Sequence, residues 1–280
     1  MVKLGYIDYL NCLPVHFGLE QGLAPAELAV HRGVPTQVND WFGKGEIDVT
    51  AASSIVYAQN PAKGIILPGA CVASDGPVGS ILLFSKGSPA ALDGKRVALP
   101  DSSATSVAML RILLRYYYRV NVEYLTVAPS LGDMLDVADA ALLIGDDALI
   151  AAETSQPLDR CDLGDAWKQF TGQAFVYALW LVRTEFARKN QAEADLFAQA
   201  IVHSREYSFH HLDQLLEEAA RRRPLPRPTL RWYFSLLQHR FGPRERRGLV
   251  TFYDWCVKCG LLAETPSLVV WGENHEETID

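Results

Sequence analysis

The sequence predicts an α/β protein of two lobes that meet over a cleft. Apolar runs of strand length alternate with helical patterns from the first residue onward, the signal of βαβ units and a largely parallel sheet. At 280 residues the chain exceeds what one core usually fills. It also leaves the first set of units at a polar break and returns along an apolar strand, so two connections run between the lobes.

Taken in order, Val2 to Ile7 is the first strand, followed by a helix around Pro14 to Gln21 and a strand at Glu27 to His31. Pro35 opens a short helix reaching Gly43, because a proline nitrogen suits the first helical turn. Strands are expected at Ile47 to Ala52, Gly64 to Val72 and Gly79 to Phe84. Ser85-Lys86-Gly87-Ser88-Pro89 is polar and turn-forming and reads as the first crossing. Beyond it lie a strand at Arg96 to Leu99, a helix from about Ala104 to Tyr118, and strands at Glu123 to Val127 and Ala138 to Ile144. Phe175 to Val182 is an apolar strand whose residues Val176 to Val182 read as the return crossing, with a long amphipathic helix at Glu185 to Ser204 and a helical remainder to about Leu262. The expected division is residues 1–84 plus 179–280 for lobe one, carrying the C-terminal helices, and 85–178 for an inserted lobe two. The acidic tail from Gly272 to Asp280 reads as disordered.

Nearly half the residues are hydrophobic, 49%, against 21% charged, the balance of a packed globular chain. A net charge of −7 argues against nucleic acid as a partner. The basic clusters Arg221-Arg222-Arg223 and Arg244 to Arg247 read as solvated helix ends. The first residues lack the charged and apolar regions of a secretory signal, and no apolar window reaches membrane-spanning length, so the expectation is a cytoplasmic protein with no membrane partner. The five cysteines are scattered and read as small buried hydrophobes. Cys256-Val257-Lys258-Cys259 has a metal-like spacing but no second pair and no neighbouring histidines. No metal and no cofactor are expected.

In open α/β folds, binding groups gather in the loops beyond the carboxyl ends of strands. Five such loops are rich in polar residues. After the first strand comes Asn11, which caps the following helix or offers its amide to a ligand. Ser53 and Ser54 end another strand, and Ser80 sits where it can point into a cleft. Ser102, Ser103, Thr105 and Ser106 precede a helix whose free N–H groups and dipole suit a carboxylate or phosphate. Gly145-Asp146-Asp147 closes a strong strand, with Asp146 read as the inward carboxylate and a candidate base, and Asp147 as a helix N-terminal charge. The loop at 99–106 lacks the terminal Gly-Lys-Ser/Thr of a P-loop, and no GxGxxG occurs. No histidine falls in these loops, and neither GxSxG nor HExxH is present, which leaves gentle proton-transfer and elimination chemistry.

Five segments together carry a family resemblance: Tyr9-Leu10-Asn11-Cys12-Leu13-Pro14, residues 74–80 (Ser-Asp-Gly-Pro-Val-Gly-Ser), residues 99–106 (Leu-Pro-Asp-Ser-Ser-Ala-Thr-Ser), residues 143–148 (Leu-Ile-Gly-Asp-Asp-Ala) and residues 162–167 (Asp-Leu-Gly-Asp-Ala-Trp). In order and spacing they resemble the chorismate dehydratases of the futalosine route to menaquinone. That resemblance implies a fold like the type II periplasmic binding proteins. It also implies dehydration of chorismate to 3-[(1-carboxyvinyl)oxy]benzoate without metal or redox cofactor. The sequence leaves the assembly open between monomer and homodimer. Asn11 and Asp146 are then the catalytic candidates, with Ser53, Ser54, Ser80, Ser102, Ser103, Thr105, Ser106 and Gly145 binding the dicarboxylate substrate. Two alternatives stand beside it. The sister naphthoate-forming enzyme of the same pathway carries a His- and Asp-rich N-terminal motif that Tyr9 to Leu13 lacks, and a noncatalytic cytoplasmic sensor of a small carboxylate would share the clamshell.

Overall fold

The N-terminal apolar run forms strand β1 (Val2–Ile7), and the loop after it feeds helix α1 (Leu13–Gly18). These come from a computed structural model of the chain that describes residues 1–25, 27–101, 103–154 and 157–273. β2 (Leu28–Gly33), α2 (Pro35–Lys44), β3 (Val49–Ser53) and α3 (Ser54–Gln59) complete the first units, and β4 (Gly64–Ser74) is a long strand. β5 (Ile81–Ser85), β6 (Arg96–Leu99), α4 (Ala104–Ile112), β7 (Glu123–Thr126), α5 (Leu131–Val137) and β8 (Ala140–Ile144) follow. Next come α6 (Gly145–Ala152), β9 (Asp159–Asp162), α7 (Leu163–Thr171) and β10 (Phe175–Arg183). The chain continues as α8 (Thr184–Lys189), α9 (Gln191–His210), α10 (Leu212–Arg222), α11 (Arg227–Leu236), β11 (Leu237–Gln238) and α12 (Pro243–Lys258).

The strands make two sheets, a six-stranded one in the order β11-β4-β10-β3-β1-β2 and a five-stranded one in the order β7-β6-β8-β5-β9. Each is mixed rather than largely parallel. In the first, β1 runs parallel to β2 and β3, while β10 is antiparallel to β3 and β4. In the second, β6 runs parallel to β7 and β8, while β5 is antiparallel to β8 and β9. Apart from the two-residue β11, which is antiparallel to β4, the strands that reverse direction are β5 and β10, and these are the ones that enter a sheet from the other lobe. βαβ reasoning fixes the parallel triplets but not these entries.

Both crossings lie earlier than the sequence suggested. β5 pairs with β8 and β9, so the first passage is at residues 75–80, where Gly76 and Gly79 adopt φ of +114° and +73° that other residues disfavour. The polar stretch at 85–89 leads instead into a short turn inside lobe two. The return precedes Phe175, because β10 pairs along its whole length in the first sheet. Ser74 and Phe175 are paired across β4 and β10, which sets the two connections side by side.

The expected 185–204 helix is broken at Asn190 into α8 and α9. α1 meets α9 at Gly18, where an added Cβ would lie 2.6 Å from the Ser204 Cα, so a glycine is what allows these helices to touch. The C-terminal segment does more than cover lobe one. On α12, Phe252 packs at a tilt against Phe175 at 4.7 Å and edge-on against Trp167 of α7 at 6.0 Å between ring centroids. A Cβ at Gly248 would fall 2.2 Å from the Ala174 carbonyl oxygen. α12 therefore lies directly on the return connection. Among the described residues no helix is long and apolar enough to cross a membrane.

Candidate active site

The carboxyl ends of β1 and β3 face those of β6 and β8, and between them is a cavity of about 50 Å3. Ile7, Tyr9, Asn11 and Cys12 line it from the first strand and loop, Ser53 from β3, and Ser103, Thr105 and Ser106 from α4. Ile144 at the end of β8 and Gly145 at the start of α6 close it, with Tyr177 and Ala178 of β10 at the back.

The two serines at the end of β3 part company. Ser53 faces the cavity, held by Asn39 of α2, whose Nδ2 donates to Ser53 Oγ at 3.2 Å while Ser53 N donates to Asn39 Oδ1 at 3.3 Å. Ser54 is fully buried, and its hydroxyl donates to the Val176 carbonyl at 2.8 Å. It is a fixture of the sheet rather than a ligand group.

Across the cleft, Ser103 caps α4 by accepting a bond from Ser106 N at 3.3 Å. Thr105 Oγ1 accepts from Ile55 N at 3.3 Å, a bond that ties the two lobes together. Ser102 lies outside the described residues. Ser80 is turned away from the cavity, its hydroxyl accepting from Tyr233 at 2.9 Å. It ends the passage between lobes, and its neighbour Ile81, the first residue of β5, lines the cavity instead.

Asn11 is the most exposed question in the wall, because its Oδ1 is buried with no hydrogen-bond partner among the described residues. An unmatched buried acceptor costs about 1–3 kcal/mol, which a ligand donor would recover. The loop is fixed from behind by His239, whose Nε2 lies 2.8 Å from the Asn11 carbonyl. A carbonyl only accepts, so Nε2 carries the proton. Burial lowers the His239 pKa to about 4 and keeps the ring neutral.

Asp146 is not in the cavity wall, contrary to its expected inward role. As the second residue of α6 it turns toward lobe one, where its Oδ1 accepts from Leu10 N at 3.0 Å and its Oδ2 from Arg223 Nε at 2.5 Å. Burial outweighs these partners and raises its pKa to about 6. Arg223, read from sequence as a solvated helix end, spans the lobes, since it also donates to the Asp8 carbonyl at 2.5 Å. Arg222 beside it is equally committed, binding Glu20 at 2.6 Å and Glu218 at 2.7 Å. Nothing in the spacing of three arginines reveals partners more than 70 residues distant.

Gly145 lines the cavity with φ +60°, and a Cβ there would come within 3.0 Å of the Tyr9 ring. Tyr177 was hidden in an apolar strand. Its hydroxyl lies 2.9 Å from Ser74 Oγ, and burial holds its pKa well above the ordinary range. Burial also pushes the Cys12 thiol up to about 12, helped by the Asp146 charge. Among the described residues the wall thus offers hydroxyls, an amide, phenols and a protonated thiol, with no carboxylate or imidazole. Such a surface can bind and orient an anion but holds no ready base near neutral pH. Among the described residues no three His, Cys, Asp or Glu side chains are grouped to hold a metal.

Comparison with known proteins fits this geometry. A solved protein of Archaeoglobus fulgidus superposes with a TM-score of 0.78 at 20% identity, covering 93% of this chain and 98% of that one. The periplasmic aliphatic sulphonate binding protein SsuA of Escherichia coli superposes with a TM-score of 0.69 at 18% identity, covering 96% and 97%. These two likenesses establish the periplasmic-binding-protein fold. The chorismate dehydratase of Thermus thermophilus is 31% identical over 267 residues, which is 90% of this chain and 93% of that protein. The profile of the menaquinone biosynthesis family matches residues 2–258. A match of that extent, on a clamshell fold with a hydroxyl-lined cavity, places this chain in the chorismate dehydratase family of menaquinone biosynthesis.

Proposed function

We infer that this protein is a carbon–oxygen lyase that removes water from chorismate to give 3-[(1-carboxyvinyl)oxy]benzoate in menaquinone biosynthesis, by the futalosine route and in the cytoplasm. The observation that carries the reading is the 31% identity to a chorismate dehydratase across 90% of the chain. The cavity supports it through the groups it brings together.

Chorismate bears two carboxylates, and the Ser53 and Ser103–Ser106 hydroxyls face each other from opposite lobes. Donors on the ring carboxylate stabilise the carbanion formed when the proton leaves the ether-bearing carbon, since the charge delocalises through a ring double bond onto that carboxylate. The carboxylic acid formed by that proton transfer then protonates the neighbouring hydroxyl, which leaves as water as the ring becomes aromatic. Asn11 Oδ1 is an acceptor without a donor, suited to the substrate hydroxyl that departs. With the Asp146 carboxylate engaged by Leu10 and Arg223, the base we favour is the substrate's own enolpyruvyl carboxylate. Asp146 then acts as a positioning residue that holds the lobes together.

The cavity of about 50 Å3 is far below the roughly 300 Å3 or more that ligand sites of this class occupy. The lobes must therefore part to admit substrate and close over it, excluding water from the carbanion. The test is incubation of the purified, metal-free protein with chorismate, followed by chromatography against a no-enzyme control. Enolpyruvyl-benzoate above the control supports the lyase. Chorismate bound and returned unchanged indicates a sensor, the role that the binding proteins of this fold would suggest.

A further inference from the structure

Asn39 stands behind the cavity wall, buried on α2, and its side-chain amide makes two hydrogen bonds to Ser53 of that wall. The direction of both bonds between them is fixed by chemistry. A backbone N–H can only donate, so the Asn39 atom facing Ser53 N is the oxygen. The atom facing Ser53 Oγ is then the amide nitrogen, which also can only donate. Ser53 Oγ is thereby an acceptor toward Asn39, and its own proton must point elsewhere.

We infer that Asn39 is a positioning residue that commits the Ser53 hydroxyl to donating into the cavity, so that this point of the site takes an anionic oxygen and rejects a donor. The same logic recurs opposite. Ser103 Oγ accepts from Ser106 N, an N–H group with no alternative role, so its proton too is free for the cavity. Thr105 differs: its Oγ1 accepts from Ile55 N and lies 3.4 Å from Ser54 Oγ, whose own proton goes to the Val176 carbonyl, so the Thr105 proton is directed at Ser54. Each wall thus presents one hydroxyl set as a donor, Ser53 on one side and Ser103 on the other, whereas Asn11 contributes an unmatched acceptor. That polarity orients a dicarboxylate whose hydroxyl lies between its charged ends. The inference deepens the proposed function and rests on it.

Asn39→Asp tests it. The ionised aspartate has two acceptors, still receives Ser53 N–H, and draws the Ser53 proton back from the cavity. Once protonated, its acid hydroxyl donates to Ser53 Oγ as the amide does. Relative to wild type at each pH, kcat/KM for chorismate should be reduced by about tenfold or more near pH 8 and recover as the pH falls toward about 5.5. Asp40, Lys44, Lys63 and Tyr57 on the outer side of α2, and Tyr9, Cys12 and Tyr177 in the cavity, are common to both proteins, so their titrations cancel in the ratio. A loss that stays flat with pH, or no loss near pH 8, overturns the inference. Should Asn39→Asp not fold, Ser53→Ala serves: calorimetry should show enolpyruvyl-benzoate bound about tenfold more weakly, and unchanged affinity overturns the inference. Wild-type turnover is measured alongside. Its absence strikes the parent reading, while an active wild type with a flat variant profile strikes this inference alone.

Discussion

The Asp146 carboxylate, carried by lobe two, accepts the backbone N–H of Leu10 in lobe one at 3.0 Å, and Arg223 completes the contact at 2.5 Å. Three segments far apart in sequence thus meet at one buried carboxylate beside the cavity.

Arg223→Ala leaves that carboxylate buried with one partner fewer. We expect a loss of about 2 kcal/mol of stability, read as a lower Tm, and a fall of about tenfold in kcat/KM because the closed form is less populated. An unchanged kcat/KM with a lowered Tm would mean that the contact is structural and does not govern closure.

Asp146→Asn should change how stability depends on pH. Asp146 has a folded pKa raised from 3.8 to about 6, so the folded chain binds this proton more tightly. Its contribution favours folding most below about pH 4, declines as the pH rises to about 6, and is level above. Relative to wild type, Asp146→Asn should therefore gain on the order of 2–3 kcal/mol between those limits. Thermal melts at a series of pH values measure it. If turnover vanished in this variant while chorismate affinity held, Asp146 rather than the substrate would be the base.

Asn11→Leu separates stability from activity. Removing a buried acceptor that lacks a partner should leave Tm unchanged or raise it by about 1 kcal/mol equivalent, while turnover falls by about a hundredfold or more. Parallel losses in both measurements would show that Asn11 supports the loop instead.

Gly145→Ala asks an ordinary residue to hold φ +60° with its methyl 3.0 Å from the Tyr9 ring. We expect a destabilisation of about 1–2 kcal/mol with a raised KM, as Tyr9 is pushed toward the substrate. Denaturant melts and steady-state kinetics give both numbers.

Strand and helix periodicity made the parallel cores of both lobes readable, because their buried strands are continuous apolar runs. The crossings were misplaced because Ser85–Pro89 is more polar than Asp75–Ser80, whereas the glycines that turn the chain differ in backbone angle rather than composition. The loops of the site were legible too, since hydroxyls and amides after strands are uncommon enough to notice. Which way each side chain points was not. Ser53 and Ser54 are adjacent and chemically identical, and only pairing of β3 with β10 sends one to the cavity and the other to the Val176 carbonyl. Asp146 was read as facing into the cleft, whereas it turns to Arg223, a partner 77 positions away that local sequence does not show.

The contact of Gly248 with Ala174, and of Phe252 with Trp167 and Phe175, has a bearing on modularity. The last helix splints the return connection, and Tyr253 reaches from it to the Ser54 carbonyl at 2.7 Å, beneath the cavity floor. Cutting the chain before Pro243 would strip the hinge of its cover and leave aromatic faces in water, so neither lobe can be excised as a working half. Domain grafts on this scaffold must carry α12 with them.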